Sequence, residues 1–250
     1  MTEVRYLTGP SGLRPGRPTL VFIHGAGGSA RTWEHQLFDL DPVANTLALD
    51  LPGHGASDPP GRETVSEYAS AVIGLLDRLA PPDPVPVGLS MGGATTQTLL
   101  LENPGRFPRA VLVSTGAKLA VLPLIFDKLA NDFPGYLDLM GKFAFSKAAS
   151  ETMKQEVLDD TAKQDPAIIS QDFRACQAFD VRAQLAEIKS RVLVLSGQDD
   201  FLTPPKFSDT LANTIPGARL VRYPDCGHMI PNEKRAELAE ALREFLTERS

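Results

Sequence analysis

The sequence predicts an α/β fold, a mostly parallel twisted sheet flanked by helices. Three observations predict it. Short, β-branched, nearly continuous apolar runs recur along the chain, as in strands buried on both faces of a parallel sheet. Stretches with apolar residues at helical spacing separate these runs. Turn residues end each run, so strands alternate with helices as crossover units require.

The runs are Leu20–Ile23, Thr46–Leu49, Val85–Leu89, Ala110–Val113 and Val192–Leu195, with Arg219–Tyr223 weaker. Between them, Ser66–Leu79 places Ala69, Val72, Ile73 and Leu76 on one helical face, and Gly92–Glu102 reads as a helix stopped at Asn103-Pro104. Glu233–Leu246 carries Leu238, Leu242, Phe245 and Leu246 at similar spacing. Pro84 and Pro86 remove ladder donors from the third run. Lying two apart, they spare one neighbouring strand, or else the ordered strand begins near Pro86. Gly9–Pro18, Asp58–Gly61 and Pro81–Pro86 read as loops. From Gly116 to Ser190 no convincing central strand occurs, only helical patterns such as Leu119–Leu129 and Ala148–Leu158. That interval is too long for one crossover helix and reads as an inserted helical lid. The expected organisation is a core of residues 1–115 and 190–250, with a lid over 116–189.

Composition limits the function. The 250 residues allow one large domain or two small ones, with a net charge of −6, 42% hydrophobic and 22% charged residues. The acidic balance leaves no basic surplus to displace counterions, so no nucleic-acid partner is expected. The longest apolar run, Leu119–Phe126, is interrupted by Pro123 and falls far short of a membrane span. Glu3 and Arg5 stand where a secretory leader needs an apolar stretch, so a cytoplasmic location is expected. Two cysteines, Cys176 and Cys226, imply no disulfide framework. No metal-ligand spacing is present, and neither metal nor cofactor is expected.

Gly88-Leu89-Ser90-Met91-Gly92 follows an apolar run and precedes a helix. A serine projecting from a tight strand-to-helix turn needs small neighbours, and Gly88, Gly92 and Gly93 supply them. Alone, the pattern also fits a glycine-rich turn with a capping serine. In context it marks Ser90 as a nucleophile. A serine hydroxyl needs a base to take its proton. Of the four histidines, His228 lies in a loop after the last run and before the final helix, free of both. His24 and His54 sit in glycine-rich turns as loop-fixing residues, and His35 reads as a helix-surface residue. The imidazole needs a carboxylate. The loop after Val192–Leu195 offers Asp199 and Asp200; we take Asp200 as the acid and keep Asp199 as the alternative. The strand ending Val113-Ser114-Thr115-Gly116 supplies none.

His24-Gly25-Ala26-Gly27-Gly28 follows the first run, and a glycine-rich turn lets backbone approach a bound oxygen. The backbone N–H groups of Ala26 and Met91 are the candidate oxyanion donors. The same segment fits the dinucleotide fingerprint G-x-G-x-x-A, with Asp50 ending the next strand, so an NAD-dependent oxidoreductase competes. That reading leaves Ser90, Asp200 and His228 unexplained, and no Tyr-x-x-x-Lys pair occurs. A non-catalytic, ligand-binding role is the other competitor. Cys226 reads as a small buried loop residue.

The set HGAGG at His24, DLPGHGASD at Asp50, GLSMGG at Gly88, SGQDDFLTPP at Ser196 and CGHMIPNE at Cys226 resembles the α/β-hydrolase superfamily. The order serine, acid, histidine is the one associated with that arrangement. The resemblance implies a lid inserted between two late strands. Only Val4–Leu7 precedes Leu20, so about seven strands are expected in place of eight. Within the superfamily the chain is similar to small bacterial carboxylesterases and 3-oxoadipate enol-lactonases. The activity this implies is hydrolysis of a small-molecule carboxylic ester of small or medium acyl size through an acyl-enzyme. Enol-lactonase, thioesterase and carbon–carbon bond hydrolase activities use the same triad. Phe126, Leu129, Phe133, Met140, Phe143 and Phe145 of the lid are candidates to line an apolar acyl pocket. The oligomeric state is not legible.

Overall fold

A computed structural model of the chain describes residues 3–248. Seven strands form one sheet: β1 (Tyr6–Thr8), β2 (Thr19–Ile23), β3 (Asn45–Leu49), β4 (Pro84–Leu89), β5 (Arg109–Val113), β6 (Arg191–Gly197) and β7 (Arg219–Tyr223). Their order is β1-β3-β2-β4-β5-β6-β7. β1 runs antiparallel to β3, and every other pairing is parallel. The first strand is Tyr6–Thr8, not Val4–Leu7, because pairing sets Tyr6 opposite Leu49 while Val4 drops into the core.

Inner strands bury side chains on both faces, with period two. Val21 and Ile23 join one core with helix α2 (Val65–Leu79) and helix α3 (Met91–Glu102). Leu20 and Phe22 join the other core, with Trp33, with Leu37 of helix α1 (Glu34–Asp39) before β3, and with Leu238, Leu242 and Phe245 near the C-terminus. α2 begins in a capping box: the Thr64 hydroxyl accepts from the Glu67 N–H, and the Glu67 carboxylate accepts from the Thr64 N–H.

Pro84 and Pro86 both lie within β4. The Thr19 N–H donates to the Asp83 carbonyl, and the Ser90 N–H donates to the Val113 carbonyl. Even-numbered residues of β4 therefore present their N–H side to β5. The two missing donors fall on that side, where pairing begins only at Val87. The β2–β4 ladder is spared.

The interval between β5 and β6 holds four α-helices, α4 (Pro123–Asn131), α5 (Phe133–Phe143), α6 (Glu151–Thr161) and α7 (Pro166–Ala178), and a short 3-10 turn at Leu185–Glu187. Leu129, Tyr136 and Ile169 of α4, α5 and α7 form a small core of their own. The final helical stretch is two pieces, Ile230–Glu233 and Arg235–Thr247, broken at Lys234. Among the described residues no helix is long and apolar enough to cross a membrane.

Candidate active site

The chain leaves β2 toward β3 on one side and β4 toward β5 on the other. Ligands of open α/β sheets bind where strand order reverses in this way, at the carboxyl ends of the strands. Ser90 stands there, joining β4 to α3, with φ 55° and ψ −115°. Such a backbone costs on the order of 1–3 kcal/mol and needs its surroundings to hold it. The Ser90 N–H donates to Val113, while its carbonyl accepts from the N–H groups of Gly93 and Ala94 and from the Thr115 hydroxyl. A Cβ on Gly88 would lie 2.1 Å from the Gly92 carbonyl oxygen, and one on Gly92 would lie 2.2 Å from that of Ile23. The glycine spacing is thus set by backbone packed on backbone. The Ser90 side chain does not cap α3; it borders a cavity of about 890 Å³.

β6 and β7 are neighbours, so the loops leaving them meet. Asp199 N–H donates to the Cys226 carbonyl and Gln198 N–H to that of Tyr223. The zipped loops bring Asp200, not Asp199, to His228: Nδ1 lies 2.9 Å from Oδ2, both side chains buried. Oδ2 also accepts from the Thr203 hydroxyl, and Oδ1 accepts the N–H groups of Leu202 and Thr203. Burial opposes ionisation of Asp200, but His228 and the Thr203 donors outweigh it and hold its pKa below the ordinary carboxylate value. A carboxylate at Nδ1 favours a proton there and leaves Nε2 free to accept one. His228 borders the same cavity as Ser90.

Two further supports escape the sequence patterns. The His228 N–H donates to the Ala144 carbonyl of the inserted segment. Glu233 accepts from the N–H groups of Ser146, Gly227 and Met229, fixing the histidine loop from both sides. Its only trace in the sequence is an acid soon after the histidine.

The turn after β2 lies against the serine, with a Cβ built on Gly25 only 3.1 Å from Ser90 Cβ. Gly28 N–H donates to the Gly25 carbonyl and closes the turn. The N–H groups of Ala26, in that turn, and of Met91, the first residue of α3, have no acceptor among the described residues. A helix's first N–H groups lack intrahelical partners and carry the positive end of its dipole. His24 accepts from the Leu51 N–H at Nε2 and donates to the Gly25 carbonyl at Nδ1. Burial drives its pKa down to about 3, so the ring is a neutral strut. Asp50 accepts from the N–H groups of Ala30 and Ala56. Buried and already bonded, it is not a ribose ligand. His35 is exposed on the helix Glu34–Asp39. Cys176 and Cys226 are free and buried.

Three of the six expected pocket residues, Met140, Phe143 and Phe145, border the cavity. Phe126, Leu129 and Phe133 do not. Leu129 packs with Tyr136 and Ile169, Phe133 stacks on Tyr136 at 5.9 Å, and Phe126 is half-buried away from the cavity. Leu129 and Phe133 thus join helix to helix. Leu119, Ile125, Phe173, Phe201 and Phe207 are among the other apolar residues of the wall, and none was expected there from the sequence. Phe201 directly follows the acid loop, a signal of position only.

Behind the β2 turn lies a second buried cluster. Asp172 of α7, fully buried, accepts from the Gly27 N–H at 2.9 Å and contacts His54 Nε2 at 2.7 Å. Its other oxygen accepts from the Tyr68 hydroxyl at 2.5 Å. His54 Nδ1 meets the Pro52 carbonyl at 3.1 Å. Burial opposes a charge on His54, but the Asp172 carboxylate outweighs it and raises its pKa. Among the described residues no group of three or more His, Cys, Asp or Glu side chains is gathered to hold a metal ion.

The sequence profile of the Alpha/beta hydrolase family matches residues 20–241. The chain is 28% identical to the pimeloyl-[acyl-carrier protein] methyl ester esterase of Nitrosomonas europaea, over 84% of this chain and 88% of that protein. It is 28% identical to 3-oxoadipate enol-lactonase 2 of Acinetobacter baylyi, over 75% and 73%. Among solved structures, the enol-lactonase from Burkholderia xenovorans superimposes with a TM-score of 0.92 at 28% identity, covering 99% of this chain and 97% of the other. With its seven-stranded, mostly parallel sheet and flanking helices, the chain belongs to the alpha/beta hydrolase family.

Proposed function

We propose that the protein is a serine hydrolase that cleaves carboxylic esters of small-molecule substrates through an acyl-enzyme. One observation carries the reading: a strained, uncapped Ser90 shares a cavity with His228, whose far nitrogen is bound to the buried Asp200. In the proposed reaction His228 Nε2 takes the Ser90 proton as Oγ attacks the carbonyl carbon. The N–H groups of Ala26 and Met91 hold the oxyanion, each worth roughly 3–4 kcal/mol of transition-state stabilisation. His228 then protonates the leaving alcohol and activates water for deacylation. Asp200 keeps the ring oriented and stabilises its charged form. The inserted helices act as a lid, and the apolar wall of Met140, Phe143, Phe145 and their neighbours receives the acyl group.

Relatives named as an ester esterase and an enol-lactonase support an acyl-oxygen bond as the target, since a lactone is a cyclic ester. The test is a panel of p-nitrophenyl esters, lactones and acyl thioesters, assayed with wild type and Ser90→Ala. Turnover of esters or lactones that disappears in Ser90→Ala supports the reading. Saturable binding without turnover of any activated acyl compound contradicts it.

A further inference from the structure

The cluster behind the β2 turn takes no part in the bond-making and bond-breaking steps proposed above, yet it holds the peptide next to the candidate oxyanion donor Ala26. Asp172 belongs to α7, inside the inserted segment, and reaches back to a loop near the start of the chain. Its carboxylate accepts the Gly27 N–H, the peptide that follows Ala26. Ile169, one helical turn earlier, lies 3.3 Å from where a Cβ on Gly27 would stand. The spacing i, i+3 puts both residues on one face of α7. Gly27 has φ +67°, so this peptide is already in the left-handed region. Its N–H points away from the cavity to Asp172, whereas Ala26 borders the cavity with its own N–H unpaired.

The rest of the cluster fixes Asp172. One oxygen is shared by Gly27 and His54, and the other by the Tyr68 hydroxyl, which itself accepts the Arg62 N–H. His54 meets acceptors at both ring nitrogens, as a doubly protonated ring does. The His24 ring lies beside that of His54, centroids 4.9 Å apart and tilted by 57°, and Cys176 lies one turn along α7. The same helix also supplies Phe173 and Cys176 to the cavity wall. One helix therefore touches both the acyl cavity and the back of the oxyanion turn.

We propose that Asp172 is a positioning residue for the oxyanion turn: by holding the Gly27 N–H it aims the Ala26 N–H at the oxygen of the tetrahedral intermediate, tying the inserted helices to catalysis. The proposal rests on the serine-hydrolase reading given above. A misaimed donor is lost in the transition state and hardly felt in the ground state, so kcat falls and KM does not.

The experiment compares Asp172→Ala, Asp172→Asn and Tyr68→Phe with wild type on p-nitrophenyl butyrate. A trifluoromethyl ketone, whose hemiketal oxygen occupies the oxyanion position, serves as inhibitor. Asp172→Ala is expected to lower kcat roughly ten- to hundredfold, with the ketone Ki rising in step and KM within about threefold of wild type. Asp172→Asn keeps a carbonyl for the Gly27 N–H and restores kcat to within about threefold of wild type. Tyr68→Phe removes one hold on Asp172 but leaves the Gly27 bond in place, so its fall in kcat is expected to be smaller than that of Asp172→Ala. A folded Asp172→Ala with wild-type kcat and Ki overturns the proposal. So does a fall that Asp172→Asn does not rescue. If Asp172→Ala does not fold, hydrogen exchange of the Gly27 amide in wild type decides. Slow exchange supports the bond and exchange as fast as an exposed loop amide overturns it. Failure of the wild type to turn over any ester removes the hydrolase reading itself and is seen separately, because the Gly27 measurement needs no turnover.

Discussion

Replacing Asp200 by Asn separates catalysis from stability. Oδ1 of Asp200 takes the two backbone N–H groups, from Leu202 and Thr203, while Oδ2 takes the Thr203 hydroxyl and His228 Nδ1. An asparagine can put its carbonyl where Oδ1 stands and its NH2 where Oδ2 stands. The backbone donors remain satisfied, the Thr203 hydroxyl rotates to accept, and the loss of stability is about 1 kcal/mol. The amide now donates to Nδ1, so the imidazole proton moves to Nε2, the nitrogen that accepts from Ser90 in the proposed reaction. A wrong tautomer of this kind costs about 10⁴ in kcat, or about 5.5 kcal/mol of barrier. Initial rates with p-nitrophenyl butyrate, beside thermal melts, measure both effects. Asp199→Asn is the control, since Asp199 enters the zipped loops through its backbone N–H. An Asp200→Asn enzyme within tenfold of wild type, while Ser90→Ala is inactive, refutes the reasoning.

Three further outcomes follow from the geometry. Gly92→Ala sets a Cβ 2.2 Å from the Ile23 carbonyl and 2.6 Å from that of His24. β2 and α3 must separate, at roughly 1–3 kcal/mol or more, read as a lower Tm together with lost activity. Met140→Trp fills part of the cavity beside Ser90; if the acyl group binds there as proposed, kcat/KM for an octanoate ester falls at least about tenfold while acetate ester turnover holds, and Phe126→Ala leaves both unchanged. The His54–Asp172 pair gives a pH signature. Because the folded pKa of His54 is raised, its stabilisation is full below the unfolded value near 6.5 and is lost as pH rises through the folded value. The urea midpoint of wild type should therefore carry a downward component, setting in near pH 6.5 and continuing as pH rises, that Asp172→Asn lacks; equal slopes contradict it.

The sheet was legible because inner strands of a parallel sheet are apolar on both faces, and runs such as Leu20–Ile23 and Val192–Leu195 show this without ambiguity. The exposed strand Tyr6–Thr8 and the half-buried β7 carried weaker patterns, for they face solvent or lie at an edge. The elbow was legible because Gly88 and Gly92 are fixed by backbone contacts. Asp199 and Asp200 could not be separated, since adjacent carboxylates in one loop differ only in the direction the turn gives them. In the inserted helices, an apolar stripe looks the same whether it packs on another helix, as Leu129 and Phe133 do, or faces a cavity, as Met140 does. Asp172 was invisible for a related reason: a lone acid in an amphipathic helix reads as surface until the fold brings His54, Tyr68 and Gly27 around it.

The most direct test of the account is intact-mass and peptide analysis of the enzyme quenched during turnover of a slowly deacylating ester. The account predicts one acyl group on Ser90, accumulating in the burst and absent in Ser90→Ala. Turnover with no covalent adduct, or with the acyl group on another residue, would contradict it.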